Sequence, residues 1–96
     1  MSKKDIIEIL RNYKNEVASQ YNILTIGVFG SVARGEAGDE SDVDIVIRIL
    51  EPDFFMLAGI KEDLEKRLNK SIDIVTYTDS MNPFLKNRID HEAVYA

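Results

Sequence analysis

The sequence predicts an α/β fold in which helices pack on a mixed β-sheet of three to four strands. Three observations carry the prediction. Apolar residues recur at helical spacing over residues 3–20 and 54–68. Three short runs rich in Ile and Val, Ile23–Phe29, Val43–Ile49 and Ile72–Tyr77, have the length and composition of strands. Breakers stand between these segments: Gly30, Gly35 and Gly38 after the first strand, Pro52 after the second, and Asn82-Pro83 after the third.

Taken in order, residues 3–20 place Ile6, Ile9, Leu10, Tyr13 and Val17 on one helical face, with charged residues on much of the rest. Tyr13 reads as a core residue. Tyr21-Asn22 ends the helix. Ile23–Phe29 is nearly all apolar, which predicts a strand covered on both faces. Gly27 inside it signals close packing or a bulge. A short helical turn is expected over Ser31–Arg34, then turns around Gly35 and Gly38, with Asp39, Glu40 and Ser41 leading to the second strand. There Val43, Ile45, Ile47 and Ile49 face one way and Asp42, Asp44, Val46 and Arg48 the other. Pro52 suits the first turn of the next helix. Its stripe is Leu57, Ile60, Leu64 and Leu68, with Phe54 or Phe55 at the entry. Glu62, Asp63, Glu65, Lys66 and Arg67 form its solvated face. A last helix is expected over 83–90, with Phe84, Leu85 and Ile89 inward, and Ala93–Tyr95 reads as a short edge strand or docking tail.

The bulk numbers bound the answer. Ninety-six residues make one domain, 1–96. An apolar fraction of 45% fits a globular chain. There is no cysteine, which removes disulfides, thiolate metal sites and a Cys nucleophile and fits a reducing cytoplasm. No apolar run approaches the roughly 20 residues of a membrane span, and the N-terminal residues carry no signal-peptide pattern. The net charge of −5 argues against a grip on long nucleic acid and is compatible with a basic partner protein. It also simply favours solubility.

The chemistry is concentrated in Ile23–Ile49, ILTIGVFGSVARGEAGDESDVDIVIRI. Gly30 allows close approach of a phosphate to the backbone. Ser31 supplies a hydroxyl where free N–H groups could meet an anion. Asp42 and Asp44 are two apart at the start of a strand, so both side chains point to one face. Two carboxylates on one face repel unless a cation lies between them, and oxygen ligands beside a phosphate site suit Mg²⁺. Asp44 lies inside a strand, where Asp is disfavoured. Asp73, near the start of the third strand, is a candidate third acid. Arg34 could bond a phosphate oxygen or pair with Glu36 or Asp39. Ser41 could cap or orient the turn before Asp42. Glu36 has no assigned role, and His91 reads as a surface residue.

The site also dictates topology. Gly30-Ser31 ends the first strand while Asp42 and Asp44 open the second, so the two can meet only if these strands run antiparallel. Asp73 opens the third strand, which must then run parallel to the second, with residues 54–68 as the crossover helix.

Gly30-Ser31, ten residues, then Asp42-Val43-Asp44 resembles the GSx10DxD signature of the DNA polymerase β-like nucleotidyltransferases. Four fixed residues at that spacing arise by chance at about 1 in 10⁵ start positions. The surrounding GSVARGEAGDESDVDIVI is similar to the minimal branch, the MntA-type antitoxins. The resemblance covers about Ile6 to Tyr95 and implies the polymerase β-like fold. It implies two Mg²⁺ ions held by Asp42, Asp44 and Asp73, and β- and γ-phosphates held by Gly30 and Ser31. It further implies ATP as donor and a tyrosine hydroxyl of a HEPN-family RNase toxin as acceptor, in a complex of the two proteins. A small-molecule acceptor, as in antibiotic nucleotidyltransferases, and a non-catalytic module that neutralises its partner by contact are the alternatives.

Overall fold

The structure, a computed structural model, describes residues 1–38 and 41–96. Asp39 and Glu40, and with Asp39 the Arg34–Asp39 pairing considered above, lie outside the described residues. In chain order the elements are α1 (Lys3–Tyr21), β1 (Ile23–Phe29), α2 (Gly30–Arg34), β2 (Val43–Ile49), α3 (Phe54–Leu68), β3 (Ile72–Thr76), α4 (Pro83–Glu92) and β4 (Val94–Tyr95).

Each long helix starts where a short polar side chain can satisfy free backbone N–H groups. Ser2 and Asp5 form a reciprocal capping box at α1. Asp53 accepts from the N–H groups of Phe55 and Met56 at 2.8 and 3.1 Å. Asn82 accepts from Phe84 and Leu85, with Pro83 in the first turn of α4. The cap explains a difference from the sequence expectation: Pro52 precedes the capping Asp53 and is not part of the helix. Asn22 and Asn69 close α1 and α3 in the left-handed conformation that Asn tolerates.

The sheet order is β3-β2-β1-β4. β1 is antiparallel to β2 and β2 parallel to β3, as the site required. β4 is an edge strand, antiparallel to β1. Gly27 marks close packing: a Cβ there would lie 2.6 Å from the Val94 carbonyl oxygen. The register shift in β1 falls elsewhere, between Ile23 and Thr25.

The two faces of the sheet are covered unequally. One face carries the main core, in which Ile6, Leu10, Tyr13 and Val17 of α1 and Ile60, Leu64 and Leu68 of α3 meet Val43, Ile45, Ile47 and Ile49. On the other face α4 covers a small cluster of Phe29, Val46 and Ile89. Asp44 shares that second face, because it alternates with the main-core residues of β2.

Some apolar expectations fail at the edges. Phe54, Phe55 and Phe84 are 80%, 83% and 86% exposed, and neither entry to α3 nor α4 buries them. Each is the first or second residue of its helix. Leu24 is also exposed, so β1 is not covered throughout. Asp63 and Glu65 are not simply solvated: Asp63 accepts from the Tyr13 hydroxyl at 2.9 Å, and Glu65 from the Ile72 N–H at 3.2 Å. α4 runs two residues further than expected, to Glu92, and that extension reaches the site.

Candidate active site

The candidate residues gather at one end of the sheet. Phe29 pairs with Asp44 across β1 and β2, so the next residue, Gly30, arrives beside the Asp44 side chain. A Cβ on Gly30 would collide with Asp44 Oδ2. Gly30 also has φ +71°, so both the close approach and the backbone conformation call for glycine. Asp44 and Asp73 are register partners on parallel strands, which puts their side chains next to each other on the face covered by α4. Asp42 lies one residue before β2, exposed; Asp73 is exposed and Asp44 half-buried.

Electrostatics record the convergence. The Asp44 carboxyl is pushed up from its ordinary range by burial first, then by the negative charge of Asp73, with Asp42 and Glu92 adding to it. Arg88 acts in the opposite direction. Among the described residues, no three His, Cys, Asp or Glu side chains already stand as a metal cage. The donor set nonetheless fits Mg²⁺, which takes one or two carboxylates and completes its shell with water and substrate phosphates. A half-buried carboxylate raised by like charges is the condition that such a cation relieves.

Ser31 follows Gly30 in α2, half-buried. Ser41 Oγ accepts from the Gly38 N–H at 3.0 Å, while the Ser41 N–H donates to the Gly38 carbonyl. Arg34 pairs with Glu36 at 3.0 Å, one of the expected alternatives. His91 is exposed, with Nδ1 2.7 Å from the Asn87 carbonyl oxygen.

Two residues were missed by sequence reasoning. Glu92, at the end of α4, accepts from the Gly30 N–H at 2.7 Å, from Arg34 Nη1 at 2.8 Å and from Arg88 Nε at 3.0 Å. Burial works against its ionisation, but the Arg88 and Gly30 hydrogen bonds outweigh it and hold its carboxyl below the ordinary range. Arg88 Nη2 lies 3.4 Å from the Cβ position of Gly30, and its guanidinium sits over the Phe29 ring. In the sequence, Arg88 and Glu92 read only as an i,i+4 surface pair, a pattern of little weight.

Residues 4–95 match the family model for polymerase beta nucleotidyltransferases. The chain belongs to the polymerase beta nucleotidyltransferase family. Within that family, it is 33% identical over 96 residues to the protein adenylyltransferase MntA of Thermococcus cleftensis, covering 99% of this chain and 96% of the relative. A Methanocaldococcus jannaschii protein, provisionally named a protein adenylyltransferase, is 37% identical over 94 residues, covering 95% and 94%. A solved structure provisionally described as a minimal nucleotidyltransferase superposes with a TM-score of 0.76 at 29% identity, covering 98% of this chain and 95% of that one. The MNT antitoxin fold is shared as well, in a complex with the tri-AMPylated Shewanella oneidensis HEPN toxin. There the TM-score is 0.62 at 19% identity, covering 97% and 66%. Among the described residues, no helix of this nucleotidyltransferase is long and apolar enough to cross a membrane.

Proposed function

We propose that this nucleotidyltransferase is an antitoxin that transfers AMP from ATP to a tyrosine hydroxyl of a HEPN-family RNase toxin, silencing it. The observation that carries the reading is the register that sets Asp44 beside Asp73 and brings Gly30 against Asp44. That arrangement juxtaposes a glycine turn for phosphate with paired carboxylates for a cation. The names of the relatives support AMP as the transferred group, and the complex with an AMPylated toxin supports a HEPN partner.

In this reading residues 1–96 act as one catalytic domain. Gly30 and Ser31 hold the β- and γ-phosphates, and Arg34 adds a charged donor to the same oxygens. Ser41 fixes the turn that carries Asp42. Asp42 and Asp44, with Asp73, would hold Mg²⁺, which supplies a lowered hydroxyl pKa and charge compensation for the leaving pyrophosphate. Asp73 takes the proton of the attacking tyrosine. A bond forms from the tyrosine oxygen to the α-phosphorus, the bond from that phosphorus to the bridging oxygen breaks, and pyrophosphate leaves with the electron pair. The partner completes the acceptor side of the site, so the two proteins act as a complex, with no nucleic-acid substrate. The lack of cysteine suits a reducing cytoplasm.

The test is incubation of the purified chain with Mg²⁺, α-labelled ATP and lysate of its native host. A labelled protein band that requires the intact Asp44 is the expected result, with the modified residue read by mass spectrometry. Label confined to small molecules would indicate the antibiotic-type reaction instead. No transfer, with the partner shown to be unmodified, would leave neutralisation by contact.

A further inference from the structure

The Gly30 N–H belongs to the turn assigned to phosphate, and Arg34 is the side chain assigned beside it. Both already hold an anion, and that anion is part of the chain. The Glu92 carboxylate spreads its two oxygens over three donors: Oε2 on the Gly30 N–H and Arg34 Nη1, Oε1 on Arg88 Nε. A carboxylate held by a backbone N–H and two guanidinium groups has the same donor requirements as a phosphate oxygen pair.

We propose that Glu92 is a resident anion on the triphosphate site, that ATP binding exchanges it for phosphate oxygens, and that Arg88 is a third phosphate-binding donor released by the exchange. The proposal rests on the nucleotidyltransferase reading and adds to it the residue that must leave and the one that takes up the phosphate.

The placement of α4 makes the exchange a local one. The helix is pinned further back, where Ile89 is buried against Phe29 and Val46 and where the Tyr77 hydroxyl donates to Asp90 Oδ1 at 2.7 Å. Glu92 is the last helical residue, so its side chain can swing out without moving those anchors. Arg88 lies one turn earlier and faces Gly30 and Asp44. In the free protein Glu92 neutralises part of the Arg34–Arg88 charge. Once it leaves, both guanidinium groups face the incoming triphosphate. The exchange replaces one set of charge-assisted hydrogen bonds with another, so the resident carboxylate lowers apparent affinity and excludes anions too weak to displace it.

Calorimetry with Mg²⁺-ATP on E92Q and R88Q, and an NMR titration of the wild-type chain with tripolyphosphate, test this together. E92Q, which keeps the shape but loses the charge, should bind ATP about three- to tenfold more tightly. R88Q should bind it about tenfold more weakly. In the wild type, the Gly30 amide and the Glu92 carboxyl carbon should shift together and saturate at one tripolyphosphate concentration. Removing a nearby negative charge could tighten binding without any exchange, and the carboxyl carbon separates the two. If Gly30 shifts while the Glu92 carboxyl stays still, or if E92Q binds no better than wild type, the resident-anion proposal is overturned and the nucleotidyltransferase reading stands. Should E92Q not fold, the wild-type titration decides alone. If neither wild type nor E92Q binds Mg²⁺-ATP or tripolyphosphate, the reading of the site itself fails and the proposal with it.

Discussion

The site has two sides built by different means. On the carboxylate side, Asp44 and Asp73 come from two adjacent strands and meet through strand register, with Asp42 one residue before β2. On the cationic side, Arg34 and Arg88 come from α2 and α4, separated by most of the chain, and are joined through Glu92. On the first side, burial and then the like charge of Asp73 push the Asp44 carboxyl up from its ordinary range. Opposite charges on the second side are satisfied within the chain. The contrast suggests that the free protein is primed for a cation on one side and occupied by its own anion on the other.

The largest expected effect comes from the carboxylate side. Asp44→Asn should reduce adenylyl transfer by about a thousandfold or more, the scale of removing a group that stabilises transition-state charge. The same change should leave the metal-free melting temperature unchanged or raise it, because a half-buried carboxylate beside Asp73 is replaced by a neutral amide. Transfer assays and thermal unfolding on one preparation check both halves. A variant that lost activity and stability together would make Asp44 a structural residue and remove the contrast.

Gly30→Ala should strike both sides at once. The left-handed backbone alone costs about 1–2 kcal/mol for a residue with a Cβ, and that Cβ would push into the Asp44 carboxylate. Nucleotide binding and transfer should both fall, with a lowered melting temperature that Asp44→Asn does not show.

The difference between the sides also decides what was legible in the sequence. Strand alternation and the ten-residue interval from Ser31 to Asp42 are short-range patterns, so the carboxylates and the direction of all three main strands could be derived from them. The β1 and β2 boundaries followed for the same reason, since glycine and the charged residues punctuate the apolar runs. Glu92 could not be read, because its partners Gly30 and Arg34 lie 62 and 58 residues away. Nothing in a helical Arg-x-x-x-Glu pair specifies which distant turn it will meet. Phe84 and Phe54 were misplaced for a related reason: periodicity assigns a face to a residue but not whether a distant part of the chain covers it.

Gly27 offers a sharper comparison, because it lies within β1, just ahead of the turn at Gly30, and does a different job. Gly27→Ala would press on the Val94 carbonyl and Tyr95 of the edge strand, not on any candidate site residue. The expected loss is about 1–3 kcal/mol of stability, the usual cost of overpacking, with weakened protection of the Ala96 and β4 amides in hydrogen exchange. ATP affinity should change far less than in Gly30→Ala. Equal damage to binding by the two substitutions would mean that the glycines act through a shared distortion of β1.

The smallest effect is remote from both sides and sets a baseline for them. The buried Tyr13 hydroxyl donates to Asp63 at 2.9 Å, and the Arg67 guanidinium lies 4.8 Å from its ring centroid. Tyr13→Phe should cost about 0.5–1.5 kcal/mol at neutral pH, the net worth of one hydrogen bond, and leave transfer unchanged. Its pH dependence has a definite sign. Burial, then the Asp63 hydrogen bond and charge, raises the Tyr13 pKa above its ordinary value of 10.0. Above that pH the unfolded chain releases the phenolic proton while the folded chain retains it, so the folded state binds more protons and stability falls as pH rises. Chemical denaturation of wild type and Tyr13→Phe between neutral pH and the strongly alkaline range should therefore give curves that converge. The variant starts lower but lacks this alkaline loss. Parallel curves would place the Tyr13 hydroxyl in water rather than on Asp63, and the α1–α3 contact would then rest on its apolar residues alone.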